Sequence, residues 1–168
     1  MIIDDNSPDG TGNFIEKSIK SSDNFTLIRR EKKLGLDTAH KFAYNYAIKN
    51  NYSYLITMDA DFSHLPDYIP DFLSTLKEND NYDIVIGSGY IKGGSIVGWP
   101  LTRHLLSKGA NYFARSWLSV ETNDITTGFF LVRKKILSKI DLKVIQKGFT
   151  NSGMRQKLIF EPKCYKYF

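Results

Sequence analysis

Two pairs of acidic residues follow short apolar segments, and their spacing suits phosphate and metal chemistry. Asp59 and Asp61 are two positions apart, so their carboxylates point to the same side of an extended segment. Two oxygen ligands placed in this way suit a hard divalent cation, Mg²⁺ or Mn²⁺, that also bridges substrate phosphates. The alternative is that these residues merely end a strand and cap the following helix. Asp4 and Asp5 form the second pair.

Other polar residues near these pairs have both a chemical and a structural interpretation. His64, three positions beyond Asp61, is a candidate ligand or proton donor, and otherwise a hydrogen-bonded structural group. The basic run at residues 29–33 is a candidate for binding a diphosphate, or it is a solvated loop. Cys164 is predicted to be inert, and as a single cysteine it forms no intramolecular disulfide.

An alternation of strand-like and helix-like segments positions these residues, which is typical of an α/β domain with a largely parallel sheet. Strands are predicted at residues 2–3, 25–28, 54–58 and 84–86. In such sheets ligands bind beyond the carboxyl ends of the strands, which is where both acidic pairs stand.

Three helices are predicted from apolar residues that recur every three to four positions. The first contains Ala39 and begins at a cap, Asp37 or Thr38; the second begins near Pro66 and Pro70. The third is interrupted in its pattern by Gly109. Most of the apolar side chains in these helices are expected to lie in the core, including those of Leu105, Leu106, Phe113 and Trp117.

The composition excludes several classes of protein. With 168 residues, 42% of them hydrophobic and 24% charged, the chain is neither a disordered tail nor a disulfide scaffold. No apolar run approaches the ~20 residues that a bilayer span needs, so no transmembrane helix is expected. The net charge of +5 favours anionic partners such as phosphates, acidic lipid surfaces or nucleic acid, and does not choose among them.

A series of segments carries a resemblance to one enzyme family. Residues 3–11 read I-D-D-N-S-P-D-G-T, residues 30–36 read R-E-K-K-L-G-L, and residues 58–66 read M-D-A-D-F-S-H-L-P. Further matching segments are residues 83–88, 93–94, 98–99, Arg103, 107–111 and 124–129. Over residues 2–149 the chain resembles the polyprenol-phosphate mannosyltransferases, the dolichol-phosphate mannose synthase family of inverting GT-A glycosyltransferases.

The resemblance implies a GT-A, Rossmann-like fold, with a mostly parallel sheet and helices on both faces. It implies inverting transfer of mannose from GDP-mannose to a polyprenyl (dolichyl) phosphate, with Mg²⁺ or Mn²⁺ as cofactor. The implied location is the cytoplasmic face of a membrane, reached peripherally or through an anchoring partner, and no nucleic acid is involved. The implied site residues are Asp4, Asp5, Gly35 and Asp59 for the nucleotide-sugar, Asp59, Asp61 and Ser63 for the metal, and Asp61 and Arg103 for catalysis.

The chain also departs from the family pattern. Residues 1–149 are expected to form an incomplete GT-A domain that lacks the family's central first strand, so that the neighbouring strands lose a partner. Residues 150–168 are expected to form a divergent basic and aromatic tail. Gly89 and Phe130 stand where the family has arginine, and Asp37 stands where it has the last glycine of an L-G-L-G turn.

These departures keep other functions open. One is a non-catalytic remnant that binds nucleotide or a partner, and another is a related transferase that uses a different nucleotide-sugar. A phospho-receiver domain also places acidic residues after its strands. That interpretation predicts one acceptor aspartate and a Lys-Pro pair after a late strand, whereas this chain has Asp-Ala-Asp and no Lys-Pro.

Overall fold

Helices and strands alternate along the chain, which confirms the predicted α/β class. The computed structural model describes residues 1–91, 94, 96, 100–118, 124, 127–139 and 165–167. The strands are β1 (Ile2–Asp4), β2 (Leu27–Arg29), β3 (Tyr54–Thr57), β4 (Ile84–Ile86), β5 (Phe130–Arg133) and β6 (Tyr165–Tyr167). The helices are α1 (Thr11–Ile19), α2 (Leu36–Lys49), α3 (Ile69–Glu78), α4 (Leu101–Leu118) and α5 (Lys134–Leu137), and a 3₁₀ turn (Pro66–Tyr68) leads into α3.

The strands form two sheets. β1 and β2 pair in parallel, and the other four strands lie in the order β3-β5-β4-β6. In the larger sheet β3, β4 and β6 run in one direction, and β5 is antiparallel to both β3 and β4. Three of its four strands therefore share one direction, but two of its three pairings are antiparallel, both through β5, so this sheet is mixed.

The two sheets meet over a shared core although their strands do not pair within the described residues. β1 pairs there only with β2, and β3 pairs only with β5. Ile3 of β1 and Leu55 of β3 nevertheless pack against one apolar cluster, which includes Tyr44 of α2. β3 is only half-buried along its length, whereas β4 is fully buried.

β5 divides the core into two clusters, because successive residues of a strand face opposite sides of its sheet. Phe130 and Val132 belong to the cluster formed with α2 and α5. Leu131 and the preceding Phe129 belong to the cluster formed with α3. The helices thus cover both faces of the sheet, as the family resemblance implies.

The start of α2 differs from the prediction, which placed the cap at Asp37 or Thr38. The cap is Gly35, with φ +91°, and a Cβ there would lie 2.7 Å from Asp37 Oδ1. The carboxylate of Asp37 is buried in the first turn, where it stabilises the positive end of the helix dipole. The prediction was wrong because it took a polar side chain for the cap, whereas a left-handed glycine forms the turn.

The orientation of α4 also differs from the prediction. Its large apolar side chains were expected in the core, but Leu105, Leu106, Phe113 and Trp117 are 61–76% exposed. The helix instead turns a polar stripe inward, formed by His104, Ser107 and Asn111. Gly109 does not interrupt it.

Some sequence predictions lie outside the described residues. They concern Cys164, Gly93, residues 98–99 and 125–126, and most of the tail at 150–168. Among the helices that are described, none combines the length and the apolar character needed to cross a membrane.

Candidate active site

The first feature of the site is the acidic loop (residues 59–64), which follows β3. The hydroxyl group of Thr57 at the end of β3 donates a hydrogen bond to the carbonyl oxygen of Gly128, 2.8 Å away. The exposed carboxylate of Asp59 lies beside the same glycine, where a Cβ would be 3.2 Å from Oδ1. The segment that leads into β5 therefore forms one wall of the loop, and its small residue leaves room for Asp59.

Asp61 is held by a turn within the acidic loop. Its Oδ1 accepts hydrogen bonds from the hydroxyl and from the backbone N–H of Ser63. The Ser63 hydroxyl and then its N–H hold the pKa of Asp61 below the ordinary 3.8. Phe62 between them has φ +63°, a strained conformation for an aromatic residue, and its ring is 90% exposed. The turn thus presents an ionised carboxylate at the surface.

The donor set fits a metal ion that is bound together with a phosphate. Asp59, Asp61 and Ser63 are all exposed at the loop surface. In the described part of the chain no three His, Cys, Asp or Glu side chains come close enough to hold an ion by themselves. Mg²⁺ commonly takes one or two carboxylates and completes its shell with water and substrate phosphate oxygens. The roles of these three residues in metal binding stay predictions.

The second feature is a partly buried ion pair at the ends of β1 and β2. Arg30 donates to Oδ1 of Asp5 through its guanidinium group, and the N–H groups of Leu34 and Gly35 donate to Oδ2 at 3.2 and 3.3 Å. Arg30 also donates to the hydroxyl of Thr38 at 2.5 Å. This pair fixes the loop before α2 to the end of β1. Of the basic run at 29–33, Arg30 is therefore turned inward.

Asp4 is buried beneath the start of α1. Its Oδ1 accepts hydrogen bonds from the N–H and the hydroxyl of Ser7, at 3.3 and 2.5 Å. A Cβ on Gly12 would lie 2.5 Å from Oδ2 of Asp4 and 3.0 Å from Nε of Arg29. The helix can approach β1 this closely only with glycine at position 12. Asp4 holds the loop after β1 together, and its predicted contact with a nucleotide stays a prediction.

Helix α4 carries several exposed basic side chains. Arg103 lies exposed in the first turn of that helix. Further along, Lys108 and Arg115 line a groove of about 210 Å³ together with Tyr90, Asn111 and Tyr112. Lys108, Asn111 and Arg115 share one helix face because they are three and four residues apart. This groove could not be predicted from the sequence, because it depends on the inward orientation of the polar stripe of α4.

Two residues that stand in place of family arginines have different surroundings. Phe130 is buried and packs in the cluster with α2, where its ring contributes to the core. Gly89 lies in the loop after β4, and a Cβ on Gly94 would be 3.0 Å from it. Neither residue supplies a charge.

Comparison with known proteins identifies relatives over most of the chain. The family profile described as "Glycosyl transferase family 2" matches residues 1–141. A relative named "Polyprenol monophosphomannose synthase", from Mycolicibacterium smegmatis, is 36% identical over 151 residues. A relative named "Undecaprenyl-phosphate mannosyltransferase", from Micrococcus luteus, is 33% identical over 150 residues.

The two matches cover a larger share of this chain than of the relatives. Each covers 89% of this chain, but only 56% and 60% of the respective relative, so the chain spans little more than half of their length. Among solved structures, "Crystal Structure of A197 from STIV" aligns with 86% of this chain, and the alignment covers 69% of the chain in that structure. Its identity is 14% and the TM-score is 0.47.

Proposed function

Since this chain belongs to glycosyl transferase family 2, we propose that it binds a nucleotide-sugar and transfers mannose from GDP-mannose to a polyprenyl phosphate. The names of both curated relatives combine mannose with a polyprenol-type lipid, which supports this choice of sugar and acceptor. The observation that carries the proposal is the acidic loop, which presents an ionised Asp61 close to Asp59 at the carboxyl end of β3. Inversion at the anomeric carbon is part of the proposal.

Asp59 and Asp61 are the residues that would hold Mg²⁺ or Mn²⁺ on the donor diphosphate. The cation supplies positive charge that stabilises the departing nucleoside diphosphate. Ser63 lowers the pKa of Asp61 and fixes the direction of its carboxylate through two hydrogen bonds. The ion pair of Asp5 and Arg30 holds the Gly35 turn, the place predicted for the nucleotide, against the end of β1. The acceptor phosphate is already anionic, so the transfer needs no strong general base.

Basic residues of α4 provide the charge for the acceptor phosphate in this proposal. Arg103, Lys108 and Arg115 lie on a helix of 18 residues that contains no Asp or Glu. Cations on this helix would bind and orient the acceptor phosphate, whose negative charge falls as its oxygen attacks the sugar. Arg103 keeps its predicted catalytic role within the proposal.

The exposed face of α4 supports peripheral contact with a membrane. Six large apolar side chains of this helix are 61–76% exposed: Leu101, Leu105, Leu106, Tyr112, Phe113 and Trp117. A helix that combines such a face with Lys and Arg, and with no acid, suits the interface of an anionic bilayer. We therefore propose an acidic lipid surface as the partner of α4, at the cytoplasmic face of a membrane. The lipid substrate is found at that interface.

The proposal is tested by GDP binding and by mannose transfer. Isothermal titration should show that Mn²⁺ raises the affinity for GDP about tenfold or more, and that Asp59→Asn and Asp61→Asn remove this increase. Asp67→Asn is the matched control, because Asp67 is exposed in the 3₁₀ turn outside the acidic loop. The transfer assay uses labelled GDP-mannose and a polyprenyl phosphate, with and without EDTA. Equal GDP affinity in both conditions would remove the metal from the proposal.

A second candidate is a chain that binds the nucleotide without transferring the sugar. The observation that favours it is Phe130, whose buried ring occupies a family arginine position. This function predicts metal-dependent GDP binding together with no labelled lipid product. The same two measurements therefore separate the candidates.

A further inference from the structure

The side chain of His64 closes the acidic loop through the backbone of Asp59. The N–H group of Asp59 donates a hydrogen bond to Nδ1 of His64, at 2.8 Å. An imidazole nitrogen that accepts this bond carries no hydrogen, so the ring hydrogen lies on Nε2. Oδ2 of Asp59 is 3.7 Å from the same nitrogen, which is beyond hydrogen-bond distance. The histidine thus holds the main chain of Asp59 and leaves its carboxylate exposed.

The ring of His64 is itself fixed by the core. It stacks on Phe129, with ring centroids 4.9 Å apart and planes 18° from parallel. Phe129 in turn packs on Phe72 of α3, with centroids 4.5 Å apart. Both phenylalanines belong to the buried cluster on this face of the sheet. A continuous row of rings therefore connects α3 to the backbone of the acidic loop.

We infer that His64 is a positioning residue, which sets the backbone of Asp59 so that the acidic loop is ordered before its ligand binds. This assignment differs from the metal-ligand role that the sequence allowed. Nδ1 is occupied by the N–H of Asp59 and Nε2 carries hydrogen, so neither nitrogen is placed as a metal ligand. Without the acceptor at Nδ1 the loop is less ordered before binding. Part of the binding free energy is then spent on ordering the loop, so the affinity for the ligand falls.

The hydrogen bond is tested on the ligand-free full chain. Nitrogen NMR of the labelled protein should show hydrogen on Nε2 of His64 and none on Nδ1. The Asp59 amide should be protected from hydrogen exchange, and His64→Ala should reduce this protection about tenfold. His64→Asn should retain most of it, because the amide oxygen of asparagine can take the place of Nδ1. Hydrogen on Nδ1, or equal loss of protection in both variants, would overturn the inference.

The effect on the ligand is measured separately and rests on the proposed function. With Mn²⁺ present, His64→Ala should weaken GDP binding about tenfold, and His64→Asn should restore most of the affinity. A role in stability alone predicts that binding follows the melting temperature in both variants, which would contradict positioning. If the wild-type chain binds no GDP, the proposed function fails, whereas the NMR and exchange results still decide the inference about His64.

Discussion

Hydrogen bonds from a neighbouring residue, Ser63, lower the pKa of Asp61. The hydroxyl and the N–H of Ser63 donate to the same carboxylate oxygen, and both lower the pKa of Asp61. Because this pKa is lower in the folded chain than in the unfolded one, the ionised group stabilises the fold above the ordinary carboxyl pKa. That contribution is lost as the pH falls through the lowered value. Asp61 therefore stays ionised to a lower pH than an ordinary aspartate does.

Ser63→Ala should raise the pKa of Asp61 towards the ordinary 3.8, because it removes the larger of the two hydrogen bonds. Carbon NMR of the aspartate carboxyl groups against pH measures this change. Asp9 is an internal reference, since Thr11 lowers its pKa through the same pair of contacts and lies outside the acidic loop. An unchanged Asp61 titration, or an equal change at Asp9, would show that the turn is not the cause.

Two glycines inside helices have opposite surroundings and give a matched pair of substitutions. A Cβ on Gly12 of α1 would lie 2.5 Å from Asp4 Oδ2, whereas nothing lies within 4 Å of a Cβ on Gly109 of α4. Gly12→Ala should lower the free energy of unfolding by about 1–3 kcal/mol through overpacking. Gly109→Ala should raise it by up to about 1 kcal/mol, because alanine loses less backbone entropy in a helix. Urea unfolding measures both free energies. A change of the same sign in both variants would contradict the close packing of Gly12 against Asp4.

At the scale of elements, sequence periodicity predicted where helices and strands lie but not which way α4 faces. The apolar spacing of Leu105, Phe113 and Trp117 defines a face, and a core is the usual place for such a face. In the structure the opposite stripe faces inward: His104 is half-buried and Asn111 is buried. Local spacing contains no information about which neighbour a helix meets, so the direction of α4 could not be predicted.

The candidate site shows the same division between local and distant information. The acidic pairs were predicted because their spacing and position after strands are local features. The residues that contact them were not predicted, because Gly128 and Phe129 are more than 60 positions away in the sequence. They lie beside the acidic loop because β5, which follows them, pairs antiparallel with β3. Arg30 was noted only as part of a basic run, and its pairing with Asp5 depends on the parallel register of β1 and β2.

The apolar face of α4 predicts binding to anionic vesicles. Leu106→Ser and Trp117→Ser should each weaken the partition to phosphatidylglycerol vesicles about tenfold, because burial of one large apolar side chain contributes roughly 1.5–3 kcal/mol. Both side chains are more than 70% exposed, so the substitutions should leave the melting temperature unchanged. Phe14→Ser is the matched control, since Phe14 is 72% exposed on α1.

Sedimentation with vesicles of phosphatidylcholine, alone or mixed with phosphatidylglycerol, measures the partition. Binding should require the anionic lipid and should fall as salt is added, because the helix charges are screened. Equal loss of binding with Phe14→Ser, or binding to phosphatidylcholine alone, would contradict a specific role for α4. A dimer that covers this face would instead appear as a concentration-dependent increase in mass without vesicles.

At the scale of the whole molecule, the two sheets differ in how firmly they are held. β4 is fully buried and β5 nearly so, with helices on both faces of the sheet. β1 and β2 form a ribbon of three residues each, half-buried at best apart from Asp4. Among the described residues it is attached through Ile3, which packs on the shared core, and through hydrogen bonds that join Asp5 and Arg30 to the loop before α2 and to Thr38. In this part of the chain few buried contacts therefore couple the smaller sheet to the larger one.

Hydrogen exchange should reveal this difference directly. Stability varies within a protein, and segments with few buried contacts open at a lower free energy than the global one. We expect peptides from β1 and β2 to exchange together and well before those from β4 and β5. Urea should accelerate exchange in β4 and β5 with the slope of global unfolding, but should affect β1 and β2 only weakly, because their opening exposes little surface.

The measurement is exchange with mass spectrometry in rising urea, with GDP and Mn²⁺ added in a second series. Asp5 and Arg30 hold the Gly35 turn, so the ligand should slow exchange in β1 and β2 more than in β5. Identical rates and urea slopes in all four strands would show that the two sheets form one cooperative unit.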